Sequence, residues 1–463
     1  MATDADMKKK HMSVVIGGHV DSGKSTTTGH LLFKLGGISQ REVDKMKEEA
    51  HNLGKDSFHF AFFLDKQKEE RERGITISCT TKEFFTNNFH YTIIDAPGHI
   101  DFIKNFITGS SQADIGVLLV PADSFIVTLQ KGNRDEGTVE GQTRMHALLY
   151  FLLGIKQLVV CVNKMDSVGY SQDKFNEIKD EVKHMLKSVG WKKEFVDESV
   201  PIIPISGYQG DNLFDNSENL KWFEGQDVKN VNGQKVQVTT LVSALDNYAC
   251  APNRVANAPL RMPVSGVFKI KGTGDVITGR LEQGIVKAGD EVVFLPTHTT
   301  ANPCTGRIFS VEMHHKTMDQ AGPGDNVGLC IKGLDKKYMP RNGDIMILKS
   351  DNTLKTCKRF TAQAQIMNHP GELKVGYSPI GYVRTSHSAI KIVGINWRLS
   401  KETGGVKVEN PPFIKAGDMT ELVFEPQKEF VVEEFKKSEG LGRVAVMDGN
   451  SVMMIAKITA VEF

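Results

Sequence analysis

Gly18-His19-Val20-Asp21-Ser22-Gly23-Lys24-Ser25-Thr26 follows directly on the apolar run Ser13-Val-Val-Ile-Gly17 and precedes a helix-forming stretch. Two glycines separated by four residues, then lysine and a hydroxyl residue, form the P-loop pattern. The flanks predict a buried strand before the loop and a helix after it. Gly18 and Gly23 let the backbone close around phosphate oxygens, and the N–H groups of the loop and helix start point at negative charge. Lys24 is placed to reach the outer phosphates, and the Ser25 hydroxyl to hold Mg²⁺. The loop by itself indicates a nucleoside triphosphate site without naming the base.

The base is named further along. Asn163-Lys164-Met165-Asp166 follows the strand-like run Gln157-Leu-Val-Val-Cys-Val162. A carboxylate at Asp166 can accept two hydrogen bonds from guanine, at N1 and the 2-amino group, and is left unpaired by adenine. Asn163 and Lys164 are expected to brace the loop and cover the ring. Taken alone, the four residues read equally well as a polar turn after a strand. Pro204-Ile-Ser206-Gly207-Tyr208 ends the last apolar run of this region and is expected to close over the guanine.

Between these lies Tyr91-Thr-Ile-Ile-Asp95-Ala-Pro-Gly98-His99. Asp95 ends a strand, where an open parallel sheet places its ligands, and suits a Mg²⁺-binding carboxylate. Gly98 offers an unobstructed N–H to a γ-phosphate. Upstream, Glu69-Glu-Arg-Glu-Arg-Gly74-Ile-Thr76-Ile makes Thr76 a candidate second hydroxyl ligand of Mg²⁺. Without its neighbours that segment reads as a solvated helix end, and His99 as a surface histidine in a loop.

The chain has 463 residues, enough for about three domains. Apolar content of 40% and charged content of 24% fit a globular protein, and the net charge of +1 excludes a globally basic nucleic-acid binder. Six scattered cysteines with no C-x-x-C pair read as reduced thiols. No signal peptide and no membrane span are expected. Up to residue 250 apolar runs alternate with helical patterns, such as the amphipathic stretch from Lys174 to Lys187. This predicts an α/β domain, a mostly parallel sheet with helices on both faces, over 1–250. Beyond Pro252 short strands are broken by Gly, Asp, Asn and Pro, and two all-β barrels are expected, over 251–351 and 352–463, joined at Ser350-Asp-Asn-Thr353.

The words Gly-His-Val-Asp-Ser-Gly-Lys-Ser-Thr, Glu-Arg-Glu-Arg-Gly-Ile-Thr-Ile, Asp-Ala-Pro-Gly-His, Asp101-Phe-Ile-Lys-Asn105 and Val162-Asn-Lys-Met-Asp166 resemble the translational GTPases, and within them the elongation factor 1-alpha family. The resemblance runs over nearly the whole chain, including Ser310-Val-Glu-Met-His314-His315, Gly324-Asp-Asn-Val-Gly328 and Leu441-Gly-Arg-Val-Ala445-Val. The insertion Gln130–Gly141 and the phrase from Gly272 to Gly279 resemble the diverged elongation-factor-like branch. The resemblance implies a cytoplasmic GTPase that delivers aminoacyl-tRNA to the ribosomal A site, with GTP hydrolysis triggering release. It implies GTP/GDP and Mg²⁺ as ligands, and aminoacyl-tRNA, the ribosome and a guanine-nucleotide exchange factor as partners. His99 takes the place of the group that orients the attacking water.

Phe268, Thr278 and Asn326 match positions that line the aminoacyl pocket of relatives. Gly266 stands where those relatives carry an acidic residue, and Ile100 where they carry Arg. The adjacent His314-His315 point to opposite faces of a strand, so a structural or RNA-facing role is favoured over a shared metal. A release or ribosome-rescue GTPase shares the same first domain, but is expected to begin with a long extension, whereas this P-loop starts at residue 18. A non-catalytic scaffold need not keep Lys24, Thr76, Asp95, His99 and Asp166.

Overall fold

A computed structural model describes residues 9–463 apart from 66, 74, 78, 133–139, 253, 314, 315, 368–370, 401–403 and 450. Most of the 130–141 insertion, the His314-His315 pair and the side chain of Ile100 thus lie outside the described residues. The chain divides into two compact units, 1–252 and 253–463.

In the first unit, strands β1 (Lys10–Gly18), β2 (Thr80–Phe85), β3 (Phe89–Asp95), β4 (Ile115–Pro121), β5 (Gln157–Asn163) and β6 (Ile202–Pro204) form one sheet in the order β2-β3-β1-β4-β5-β6. All neighbours are parallel except the edge strand β2, which runs antiparallel to β3. Every residue of β4 and β5 is buried. Their unbroken apolar runs are what a strand covered on both faces requires. The strand order reverses at β1, so the crevice at its carboxyl end is where such a sheet binds ligands. Helix α1 (Lys24–Lys34) leaves that crevice, and α2 (Gln40–Asn52), α3 (Ile103–Ser110), α4 (Gln142–Leu153) and α5 (Gln172–Val189) follow in the chain. Helix α5 buries Phe175, Ile178, Val182, Met185, Leu186 and Val189 at helical spacing.

The second unit has no helix among its described residues. Met262–Ile270, Gly274–Arg280, Asn326–Lys332, Thr305–Met313, Glu291–Leu295 and Ile345–Leu348 pair antiparallel in a closed ring of six. Arg359–Ile366, Met419–Pro426, Ser386–Leu399, Ile380–Val383, Arg443–Asp448 and Ser451–Glu462 close a second ring. Closure leaves neither ring an open edge, the usual liability of short strands.

The segment between the rings is tied down. Arg261, 1% exposed, donates to Asp351 (2.5 Å), Thr353 (2.8 Å) and both carboxylate oxygens of Glu433 (3.0 and 3.1 Å). One guanidinium thus bridges the first ring, the connecting segment and the second ring. Removing one member of such a buried pair strands the other charge, at a cost of about 3–5 kcal/mol. Arg261→Ala is therefore expected to lower the unfolding free energy of the second unit by that amount, with a lower urea midpoint, while nucleotide affinity stays at the wild-type value. Fluorescence-detected urea unfolding beside a nucleotide titration checks it.

Candidate functional site

Helix α1 begins at Gly23, which sits in the left-handed region (φ 84°) and offers no side-chain cap. The amides of its first turn are thus available to an external acceptor. A Cβ on Gly23 would meet the Asn163 amide at 2.5 Å, and one on Gly18 would meet the carbonyl of Leu119 at 2.5 Å. These two close approaches explain both glycines.

The loop between them is held from behind. The N–H groups of Gly18, His19 and Val20 donate to His146 Nδ1 (2.9 Å), Thr143 Oγ1 (3.1 Å) and Gln142 Oε1 (3.1 Å), all on α4. Burial, reinforced by Lys24, holds the His146 pKa well below its ordinary value, so the ring stays neutral and can accept. Sequence reasoning missed these three residues. Their signal was polar side chains at the start of an otherwise apolar helix, just after Gly141.

Lys24 lies buried, with its ammonium on the carbonyl of His19 at 2.8 Å. Burial lowers its pKa to about 8, against the opposing pull of Asp95, Asp21 and Asp65. Gly98 packs so closely on Lys24 that a side chain there would collide with the ammonium. Ser25 Oγ donates to Asp95 (2.7 Å) and lies 3.1 Å from Thr76 Oγ1, which in turn donates to Asp65 (2.9 Å). Asp65 is a fourth site residue that sequence reasoning passed over, hidden at the end of Ala61-Phe-Phe-Leu. Burial and the neighbouring Asp95 push the Asp65 carboxyl up to about 7; burial pushes Asp95 up to about 6. The second oxygen of Asp95 is buried with no hydrogen-bond partner. Two hydroxyls, two crowded carboxylates and an unsatisfied oxygen fit a hard divalent cation with oxygen ligands.

Val20, Asp21, Thr26, Thr76, Gly98 and His99 line the same cleft. His99 is partly exposed; its Nδ1 accepts from the Asp101 N–H (3.2 Å), and its ring leans on Phe102. On the other side of the P-loop, Asn163 donates to the carbonyl of Ser22 (2.7 Å) and accepts from the N–H of Gly207 (2.8 Å). Ser206 Oγ donates to Asp166 (2.6 Å), and Lys164 pairs with Asp123 (3.0 Å). The Asn163-Lys-Met-Asp166 and Ser206-Gly207 segments are thus joined to each other and to the P-loop. Tyr208 is 43% exposed, and its ring lies edge-on to His59.

In the second unit Thr278 stands opposite Gly266 in register, within 3.3 Å of Ser265 Oγ. Phe268 stands opposite Val276, and Asn326 opposite Arg280. A Cβ on Gly266 would strike the Phe268 ring and meet Thr278 Oγ1 at 2.7 Å. The ring has taken the space that a side chain would need.

Comparison with known proteins agrees with this geometry. The family model described as elongation factor Tu GTP binding domain matches residues 9–251. Models for elongation factor Tu domain 2 and for the GTP-eEF1A C-terminal domain match 274–347 and 359–459. Elongation factor 1-alpha of Plasmodium falciparum is 45% identical over 452 residues, covering 97% of this chain and 95% of the relative. That of Coccidioides immitis is 43% identical over 456 residues, with 98% and 95% covered. The fold is shared with the GTP-bound S. cerevisiae Ski7 GTPase-like domain, at 19% identity, a TM-score of 0.77, and 99% and 100% coverage.

The raised carboxyls and the lowered Lys24 predict a change of sign in proton uptake. A divalent cation lowers carboxyl pKa values, so loading Mg²⁺ and GDP is expected to release protons near pH 6–7, where Asp65 and Asp95 are partly protonated. Phosphate raises the Lys24 pKa, so at pH 8.5–9 loading is expected to take protons up. Calorimetry in buffers of differing ionisation enthalpy reads both, and release at both pH values contradicts the assignment.

Proposed function

The chain belongs to the elongation factor Tu and elongation factor 1-alpha family of GTPases, and from that premise we propose that it carries aminoacyl-tRNA to the ribosomal A site. The observation that carries this reading is the extent of the match. Relatives named elongation factor 1-alpha align over 95% of their own length, both ring domains included. The family hydrolyses GTP, and this chain is a GTPase. The carrier role proposed for it sets it in the cytoplasm. Among the described residues no helix is long and apolar enough to cross a membrane.

In this reading the loop from Asp21 to Thr26 cradles the phosphates and Lys24 meets the outer ones, while the amides of Gly18, His19 and Val20, expected on the phosphates as well, are taken by α4 and shape the loop from behind; Asp166, braced by Ser206, reads guanine. Ser25, Thr76 and Asp95 hold Mg²⁺, which when bound offsets phosphate charge; Asp65 steadies Thr76. His99 Nδ1 faces Asp101, with the backbone N–H at 3.2 Å and a carboxylate oxygen at 3.4 Å, which fixes the ring at the mouth of the cleft. In this reading the ring orients the attacking water. The family resemblance adds a guanine-nucleotide exchange factor as the partner that releases the diphosphate. At the aminoacyl pocket, the Phe268 ring over Gly266 puts an apolar surface where relatives place a carboxylate.

His99→Ala is expected to leave GTP affinity near normal while ribosome-stimulated turnover falls by about two to four orders of magnitude. Unchanged stimulated turnover in a single-round assay contradicts the role. The GTP form is expected to retain charged tRNA far better than uncharged tRNA, with affinity falling steeply as salt rises. N-acetylation of the aminoacyl group is expected to be penalised only mildly, since no carboxylate at Gly266 awaits a free amino group. Filter binding checks each point; equal retention of charged and uncharged tRNA, or of GTP and GDP forms, removes the carrier reading.

A further inference from the structure

Helix α3 starts immediately after the Gly98–Phe102 turn, and two of its residues make contacts that the nucleotide site does not account for. Phe106 is buried, and its ring stacks on His146 at 3.9 Å and 8° between planes. His146 accepts the Gly18 N–H, so this face of α3 is fixed to the back of the P-loop. Asn105, on the exposed side, donates from its amide to the carbonyl of Ile77 at 2.8 Å. The backbone carbonyl of Asn105 in turn accepts from the Cys79 thiol at 3.1 Å.

Residues 75–77 form no helix or strand. Their shape depends on what their polar groups find. On one side the Glu70 carboxylate accepts the Ile77 N–H at 3.0 Å, and the Glu70 carbonyl accepts that of Ile75 at 3.2 Å. On the other side Asn105 supplies a donor to the Ile77 carbonyl. Thr76, whose hydroxyl faces Ser25, sits between these two anchors. The Glu70 anchor lies in the same stretch of chain as Thr76; the Asn105 anchor belongs to the helix behind the Gly98 turn.

We propose that Asn105 is a positioning residue that couples the Thr76 segment to the Gly98 turn, so that both reach the nucleotide together. The proposal rests on the chain binding GTP. An exposed, neutral hydrogen bond suits the role because it is weak enough to open. Its loss changes an equilibrium by about 3–10-fold, enough to bias a segment without unfolding the domain. Because the two segments approach a third phosphate, the link is expected to stabilise the triphosphate form and to be nearly silent with the diphosphate.

The test compares wild type with Asn105→Ala and with Asn105→Asp, which keeps the shape but replaces the donor amide by a carboxylate. The measurements are affinities for GDP and for a non-hydrolysable GTP analogue, thermal midpoints, and the rate of tryptic cleavage after Arg73 in each nucleotide state. Both variants are expected to keep wild-type GDP affinity and midpoint. Both should bind the GTP analogue about 3–10-fold more weakly and lose part of the protection at Arg73 that the analogue gives wild type. Equal weakening for GDP and the analogue, no weakening for either, or wild-type behaviour of Asn105→Asp overturns the proposal. If wild type binds neither nucleotide, what fails is the GTPase reading beneath it.

Discussion

The site depends on an unsatisfied backbone. Helix α1 starts at a left-handed glycine with no side chain to accept from its first amides. The loop before it must therefore be shaped for an acceptor that the protein does not contain. Much of the first unit serves to hold that loop open. Side chains of α4 take the amides of Gly18, His19 and Val20, so these point backwards. Asn163 takes the Ser22 carbonyl from the other side. What remains facing the cleft is donors and the Lys24 ammonium, a concentration of positive potential with one acidic corner at Asp65 and Asp95. Holding these charges together out of water is a costly arrangement. A buried ammonium near a pKa of about 8 and carboxyls near 6 and 7 all lie closer to neutrality than they would in water.

The residues assigned to the nucleotide were legible because the chemistry proposed for them demands fixed spacings. A P-loop needs Gly18 and Gly23 where the backbone must pass closely, and here the Leu119 carbonyl and the Asn163 amide make those approaches. The alternation of buried strands with amphipathic helices, and its disappearance beyond Pro252, likewise foretold a parallel sheet and two closed rings. The supporting residues were hidden for the opposite reason. Thr143 and His146 have no required spacing from the P-loop; the sheet brings them to it across more than a hundred residues of sequence. Asp65 looked like the polar end of an aromatic run, because its partner Thr76 lies beyond the short helix Lys68–Arg73, and no local pattern specifies that return. Tyr208 shows the converse. It follows Ser206 and Gly207 in sequence, but its ring has turned to His59.

The segment between the rings was read as a linker on composition, and Ser350-Asp-Asn-Thr353 is polar in the way linkers are. The side chains instead serve Arg261. Nothing local marks Arg261 as buried, because it lies beside Leu260 and Met262 in an apolar run where a charge looks out of place. Its partner Glu433 is 172 positions away. Such a bridge adds little net stability over an apolar contact of the same size, but it allows only one arrangement of the pieces it joins.

That restriction bears on how a long ligand would be gripped. Two rings on a slack tether would each have to find their place on the ligand, and the second would bring a loss of orientational freedom at the moment of contact. With the guanidinium engaged on both carboxylates, that loss has already been incurred during folding. The two surfaces present themselves in a set phase, like adjacent teeth of a comb, and a rod-shaped partner that matches the spacing meets both without a further entropic penalty. Loosening the bridge would therefore show first in the grip on extended ligands, while short ones held by a single ring would feel little change.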